Sequence, residues 1–161
     1  MELTIRPTTM DDLSALDGLF ARAYPRLLKA DYPPSVMVTA LPLISRAKPE
    51  LLRCGTYYLA ETSGGRLLGA GGWTPDRDTD GLAHIRHVVT DDRMVRRGIG
   101  RAILTHAMQT AREAGVHQIE CWSTLTGVPF YRSLGFHELG PIDVELAPGV
   151  TFPSVRMMAT V

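Results

Sequence analysis

Arg96-Arg97-Gly98-Ile99-Gly100-Arg101 stands between a β-rich stretch, His84 to Val89, and a periodic helical one, Ile103 to Ala114. A strand that runs through a basic, glycine-spaced turn into a helix is a place to hold a phosphate. The first helical turn offers N–H groups without intrahelical partners and the positive end of the helix dipole. Gly98 and Gly100 lack a Cβ, so a ligand can approach the main chain closely. Arg96, Arg97 and Arg101 add charge that does not titrate away. An ordinary glycine turn with solvated arginines has the same composition, so this stretch alone leaves that reading open.

Three kinds of phosphate loop compete. A Walker loop requires a Gly-Lys pair, and the chain contains none. A dinucleotide fingerprint requires a third glycine where Ile103 stands, although Glu120 lies near the position of its acidic partner. The third kind is read from a resemblance that two segments carry together. A second segment, Ser-Thr-Leu-Thr-Gly-Val-Pro-Phe-Tyr-Arg-Ser-Leu-Gly-Phe at residues 123 to 136, favours it. There a strand leads into a short helix that Gly135 closes at the C′ position, and Phe136 starts the next strand.

Together the two segments, Val-Val-Thr-Asp-Asp-Arg-Met-Val-Arg-Arg-Gly-Ile-Gly-Arg-Ala-Ile-Leu and the one ending Phe130-Tyr131-x-x-x-Gly135-Phe136, resemble the GCN5-related N-acetyltransferases (GNAT). That family's patterns are [QR]-x-x-G-x-[GA] after the fourth strand and F-Y-x-x-x-G-F. The chain departs from them at Val95, where Gln or Arg is usual, at Asp92, where proline is common, and at Thr124 and Gly127, where Asn and Ala are usual. The resemblance covers residues 56 to 140 and, loosely, the N-terminal third. It implies an α/β fold of about seven mostly antiparallel strands with helices on both faces, and acetyl-CoA as cosubstrate. The implied reaction is direct attack of a primary amine, of a small molecule or a protein, on the thioester. A non-catalytic acyl-CoA-binding sensor keeps the same fold and stays open, as does a homodimer, which is frequent in the family.

The resemblance also assigns residues. The main chain of Arg96, Arg97, Gly98, Ile99, Gly100 and Arg101 would grip the diphosphate. Strand backbone at Val88, Val89 and Thr90 would pair with the pantetheine arm, in a sheet that parts to admit it, and one of those amides would face the thioester oxygen. Thr124 occupies the Asn position, and Tyr131 the tyrosine that faces the CoA sulfur. A phenol is a weaker acid than a thiol by roughly 1.5 units, ~2 kcal/mol, so Tyr131 is expected to donate a hydrogen bond rather than a whole proton.

An alkylammonium must lose a proton before it attacks, at a cost of ~4–5 kcal/mol at neutral pH. A histidine is suited to take it, and His84 is the candidate. Arylalkylamine acetyltransferases, a branch of the family, carry H-x-H at this place, where the chain has His84-x-Arg86. Strand alternation predicts residues 84, 86, 88 and 90 on one face and His87 on the other. A partly buried structural histidine is the competing reading of His84. For the acceptor pocket the aromatic candidates are Tyr24, Tyr32, Tyr57, Tyr58, Trp73 and Trp122, with Asp31 and Glu120 as carboxylates that attract an ammonium.

Bulk properties bound the rest. The 161 residues make one domain, 1 to 161, with 17 basic and 17 acidic side chains and a formal net charge of +0. That balance, with the missing Walker lysine, weighs against a nucleotide- or RNA-binding role, and no nucleic acid partner is expected. Cys54 and Cys121 give neither a disulfide framework nor metal spacing, so no metal is expected. No apolar run reaches a membrane span and Met-Glu-Leu-Thr is no signal peptide, which predicts a cytoplasmic protein without membrane contact.

Along the chain the patterns predict a strand at 3 to 6, a Thr9-capped helix with Pro25 near its end, and short or kinked helical pieces where Pro42 breaks the apolar run 36 to 44. A further turn is expected at Leu51 and Leu52. Then come strands at 56 to 61, 66 to 73 and 82 to 90, a helix from Gly98 and a strand from His117 to Ser123. A short helix and a hairpin through Pro148-Gly149 end the chain. The order β α α β β β α β α β β makes a mixed sheet covered on both faces.

Overall fold

Strand β1 (Leu3–Pro7) hands the chain to a capping box at Thr9, whose amide donates to Asp12 Oδ2 at 2.8 Å while its hydroxyl accepts from Asp11 N–H at 3.3 Å. In this computed structural model, which describes residues 2–161, that cap opens a 3-10 turn running into α1 (Leu13–Leu28). Leu16, Leu19, Phe20 and Ala23 bury one face of α1. Pro25 lies inside this helix, near its end, as the pattern placed it. In α2 (Pro34–Ile44), a short helix, Pro42 is carried within the last turn and does not interrupt it. The single turn α3 (Pro49–Leu52) follows, as Leu51 and Leu52 suggested.

The remaining elements are β2 (Tyr57–Thr62), β3 (Leu67–Pro75), β4 (Leu82–Thr90), α4 (Ile99–Glu113), β5 (Gln118–Thr124), α5 (Val128–Ser133), β6 (His137–Ala147) and β7 (Val150–Thr160). Their sheet order is β1-β2-β3-β4-β5-β7-β6, antiparallel throughout except for β4 beside β5. The expected class and element order hold. Helix α4 covers one face with Ile103, Leu104, Ala107 and Ala111, and α1 and α2 cover the other. A Cβ on Gly71 would stand 3.1 Å from Val88 Cγ2 and 3.2 Å from Ile103 Cγ2, so a bare backbone in β3 lets α4 sit close. Thr110 pins the helix down: Tyr58 OH and Trp73 Nε1 donate to its hydroxyl at 2.9 and 3.0 Å, and it donates to Ala107 O at 2.9 Å. Among the described residues no helix is long and apolar enough to cross a membrane.

Two of the sheet's irregularities shape the cavity described below. First, β4 and β5 pair only where Leu82–His84 meet Gln118–Glu120; past that the two parallel strands part. Second, β4 carries a bulge. Ala70 faces Val89 while Gly72 faces Arg86, so three steps of β4 match two of β3, and His87 takes φ +36°. The extra residue resets the alternation. Ile85 and Val88 pack on the α4 side, whereas Val89 joins the α1 side and His87 stacks on Phe20 with ring centroids 5.9 Å apart. Residues 84, 86, 88 and 90 therefore do not share a face, and His87 is not opposite His84.

Candidate active site

Where β4 and β5 part, a cavity of about 1100 Å³ opens between them, reached by residues of α1, α5 and β7 as well. The arginine turn follows along the chain: Thr90 and Val95 line the cavity, whereas residues 96 to 101 are not among its lining. Asp91 precedes it, fully buried, accepting from Arg93 N–H at 2.9 Å and paired with Arg22, Arg66 and Arg93. The Arg93 hydrogen bond chiefly holds its carboxyl down at about 2. Asp92, at the family's proline position, binds Arg22 and Arg26 of α1. The turn is thus tied to the N-terminal helix by ion pairs.

Arg96 and Gly98 then take positive φ, 62° and 77°, which swings the chain into α4. Among the described residues the N–H groups of 96 to 101 donate to no protein acceptor; the first helical bond is Ala102 N–H to Gly98 O at 3.0 Å. Arg96 and Arg97 are exposed, and the Ile99 side chain is buried in the core, where it anchors the helix. Two positions of the turn also face α5. Arg101 points at α5, donating to Ser133 O at 3.3 Å and Oγ at 3.0 Å. Gly100 owes its bareness to Phe130, whose ring would stand 3.2 Å from a Cβ there.

Beyond His84 the β5-facing edge of β4 has no strand partner, so amides of Ile85–Thr90 that point that way open on the cavity. Val88, Val89 and Thr90 all line it. Tyr57 OH donates to His87 O at 2.6 Å and fixes the bulge. Burial, then Lys48 and Arg86, pull the His87 ring down to about 4, so it is neutral at physiological pH. Across the gap Thr124 Oγ1 accepts Gly127 N–H at 3.0 Å, shaping the entry to α5, and also lines the cavity. Tyr131 is buried against Cys121; burial raises its phenol well above the usual range, and it pushes the Cys121 thiol up to about 12. Both groups hold their protons. Phe130 is only partly buried and lines the cavity.

At the closed end sits a charged constellation. His84 Nε2 lies 2.7 Å from Asp76 Oδ1, and Nδ1 lies 3.5 Å from Glu120 Oε2. The His84 contact chiefly depresses Asp76 to about 2, helped by the N–H groups of Asp78 and Thr79. Glu120 Oε1 pairs with Arg156 and accepts from Trp122 Nε1 at 3.3 Å. Asp76 and Arg156 were missed in the sequence; the Asp-x-Asp-Thr turn is the only local signal for the first. Of the aromatic candidates Tyr24 and Trp122 line the cavity, while Tyr32, Tyr57, Tyr58 and Trp73 do not. Tyr32 bonds Pro153 O and stacks on Phe152 instead. Asp31 accepts from Thr126 Oγ1 at 2.6 Å and stays outside the cavity.

A family model described as an acetyltransferase (GNAT) domain matches residues 43–152. No curated protein matches the chain. Among solved structures, a GCN5-related N-acetyltransferase from Rhodopseudomonas palustris superposes with a TM-score of 0.79 at 15% identity, covering 100% of this chain and 97% of that one. The PaiA N-acetyltransferase from Thermoplasma acidophilum, in complex with coenzyme A, gives 0.76 at 14% identity over 100% of both chains. A ribosomal-protein-alanine N-acetyltransferase from Brucella melitensis gives 0.68 at 22% identity, over 98% of this chain and 99% of that one. At such identities likeness speaks for the fold. The family model spans about two thirds of the chain and carries the two segments that frame the split sheet, so the chain belongs to the GNAT acetyltransferase family.

Proposed function

We propose that the protein is an acetyl-CoA-dependent N-acetyltransferase that modifies the primary amine of a small molecule or protein. The observation that carries this reading is the run of unclaimed N–H groups at 96 to 101, beside a cavity that continues into the split sheet. Those donors, with Arg96 and Arg97, suit a diphosphate, and the free edge of β4 at Val88, Val89 and Thr90 suits an amide-bearing arm. The Thermoplasma structure holds coenzyme A, and so does an N-acetylglutamate synthase from Neisseria gonorrhoeae with the same fold. When bound, acetyl-CoA supplies the activated acetyl thioester.

The chain's own residues supply the rest. His84 takes the ammonium proton at the closed end of the cavity. Open amides of β4 orient the carbonyl and stabilise charge developing on its oxygen. Tyr131, which stays protonated, donates a hydrogen bond to the departing sulfur. An assay of free thiol over a panel of primary amines tests the proposal, with calorimetry of coenzyme A binding beside it. Thiol release that depends on an amine is the expected outcome. Tight binding without any release would replace the enzyme by an acyl-CoA sensor, and no binding would overturn both.

A further inference from the structure

We propose that the acceptor's ammonium group sits between His84 Nδ1 and Glu120 Oε2, and that Asp76 is a positioning residue that keeps Nδ1 unprotonated to receive its proton. This deepens the acetyltransferase reading and rests on it. A neutral imidazole has one N–H and one lone pair. Both nitrogens of His84 face carboxylates, but unequally: Nε2 is 2.7 Å from Asp76, a hydrogen-bond distance, while Nδ1 is 3.5 Å from Glu120. Asp76 is itself held, its Oδ2 accepting Asp78 N–H at 3.1 Å and Thr79 N–H at 2.9 Å. The single ring proton therefore belongs on Nε2, and Nδ1 presents a lone pair.

Glu120 is divided in the same way. Its Oε1 is taken by Arg156 and Trp122, and its Oε2 turns towards His84. The carboxylate is buried, on the last rung that joins β4 to β5 before they part, and it lines the cavity with His84. Two acceptors that converge across 3.5 Å, on a buried wall, call for a donor between or in front of them. A primary ammonium has three N–H bonds and meets both. One proton then passes from the ammonium to Nδ1; no bond to carbon changes in that step. The product is an uncharged amine beside an imidazolium held by two carboxylates. Selectivity follows, for alkylammonium ions over arylamines, which are uncharged at neutral pH.

The competing arrangement is an imidazolium at rest, donating to both carboxylates, which has no lone pair and is no base. Long-range ¹H–¹⁵N spectra of the ¹⁵N-labelled full chain separate the two. The expected result at neutral pH is a bare Nδ1 and a protonated Nε2, with the Nδ1 signal moving when butylammonium is added and still when aniline is added. In Asp76→Asn the tautomer should become reversed or mixed, and kcat/KM for the amine should fall about 100-fold or more. Glu120→Gln should raise KM for the amine at least ~10-fold and leave the tautomer alone. Coenzyme A affinity, measured on each variant, reports that the fold persists. A doubly protonated His84 at rest, or a Nδ1 signal indifferent to butylammonium, overturns the inference. If the wild type releases no thiol with any amine, that failure belongs to the acetyltransferase reading, and the spectra still decide the geometry.

Discussion

Tyr131 keeps its hydroxyl in a buried place beside the Cys121 thiol, where neither group can ionise cheaply. In the proposed mechanism the phenol must stay protonated to donate to the leaving sulfur, and burial favours that form. Tyr131→Phe should lower turnover about 10- to 100-fold and leave coenzyme A affinity unchanged, as steady-state kinetics and calorimetry would show. Gly98 is a separate case. Its φ of +77° disfavours any side chain, although the space around it is open. Gly98→Ala should cost about 1–2 kcal/mol in urea unfolding and loosen coenzyme A binding, because the turn that aims the N–H groups relaxes. Tyr131 was legible because its motif is contiguous. Asp76 and Arg156 were not: one reaches His84 across a hairpin in which Thr74 faces His84, and the other reaches Glu120 from a strand thirty-odd positions on.

At the level of elements, the strands and helices were readable wherever periodicity ran unbroken, as in α4, whose apolar residues recur at helical spacing. The face of β4 was not. Alternation assumes a period of two, and one inserted residue inverts everything beyond it. His87 bears no glycine or proline to announce the bulge; Tyr57, thirty positions away, holds it. Pro42 misled in the other direction, because it falls close to the end of a helix that packing sustains. Helix α4 depends on one hydroxyl for its polar tie to the sheet. Thr110→Val keeps the shape but strands the buried donors of Tyr58 and Trp73. It should cost about 2–4 kcal/mol, read from the urea midpoint at constant m.

For the molecule as a whole, two buried groups make the fold acid-labile. His87 titrates at about 4 in the fold against an ordinary 6.5. An unfolded chain thus takes up that proton first as the pH drops, and stability present above 6.5 falls towards 4, by ~3 kcal/mol at full effect. Asp91 is depressed from 3.8 to about 2, so its contribution is present above 3.8 and lost as the pH falls through 2. The two losses come one after the other. Thermal midpoints at pH 7, 5 and 3 should fall steadily, and His87→Phe should flatten the upper part of that slope; a wild-type midpoint constant from pH 7 to 4 would contradict it. The strand count and the closing hairpin were visible in the chain, but the slot of β7 between β5 and β6 was not, since adjacency in a sheet is decided by which faces need covering. The three rungs between β4 and β5 have a mechanical consequence. Main-chain bonds fasten the two halves of the molecule at one end, like a hinge with its leaves ajar. A guest lodged between the leaves would splint them, so that halves which loosen separately when bare should melt together, in a sharper transition, once it is in place.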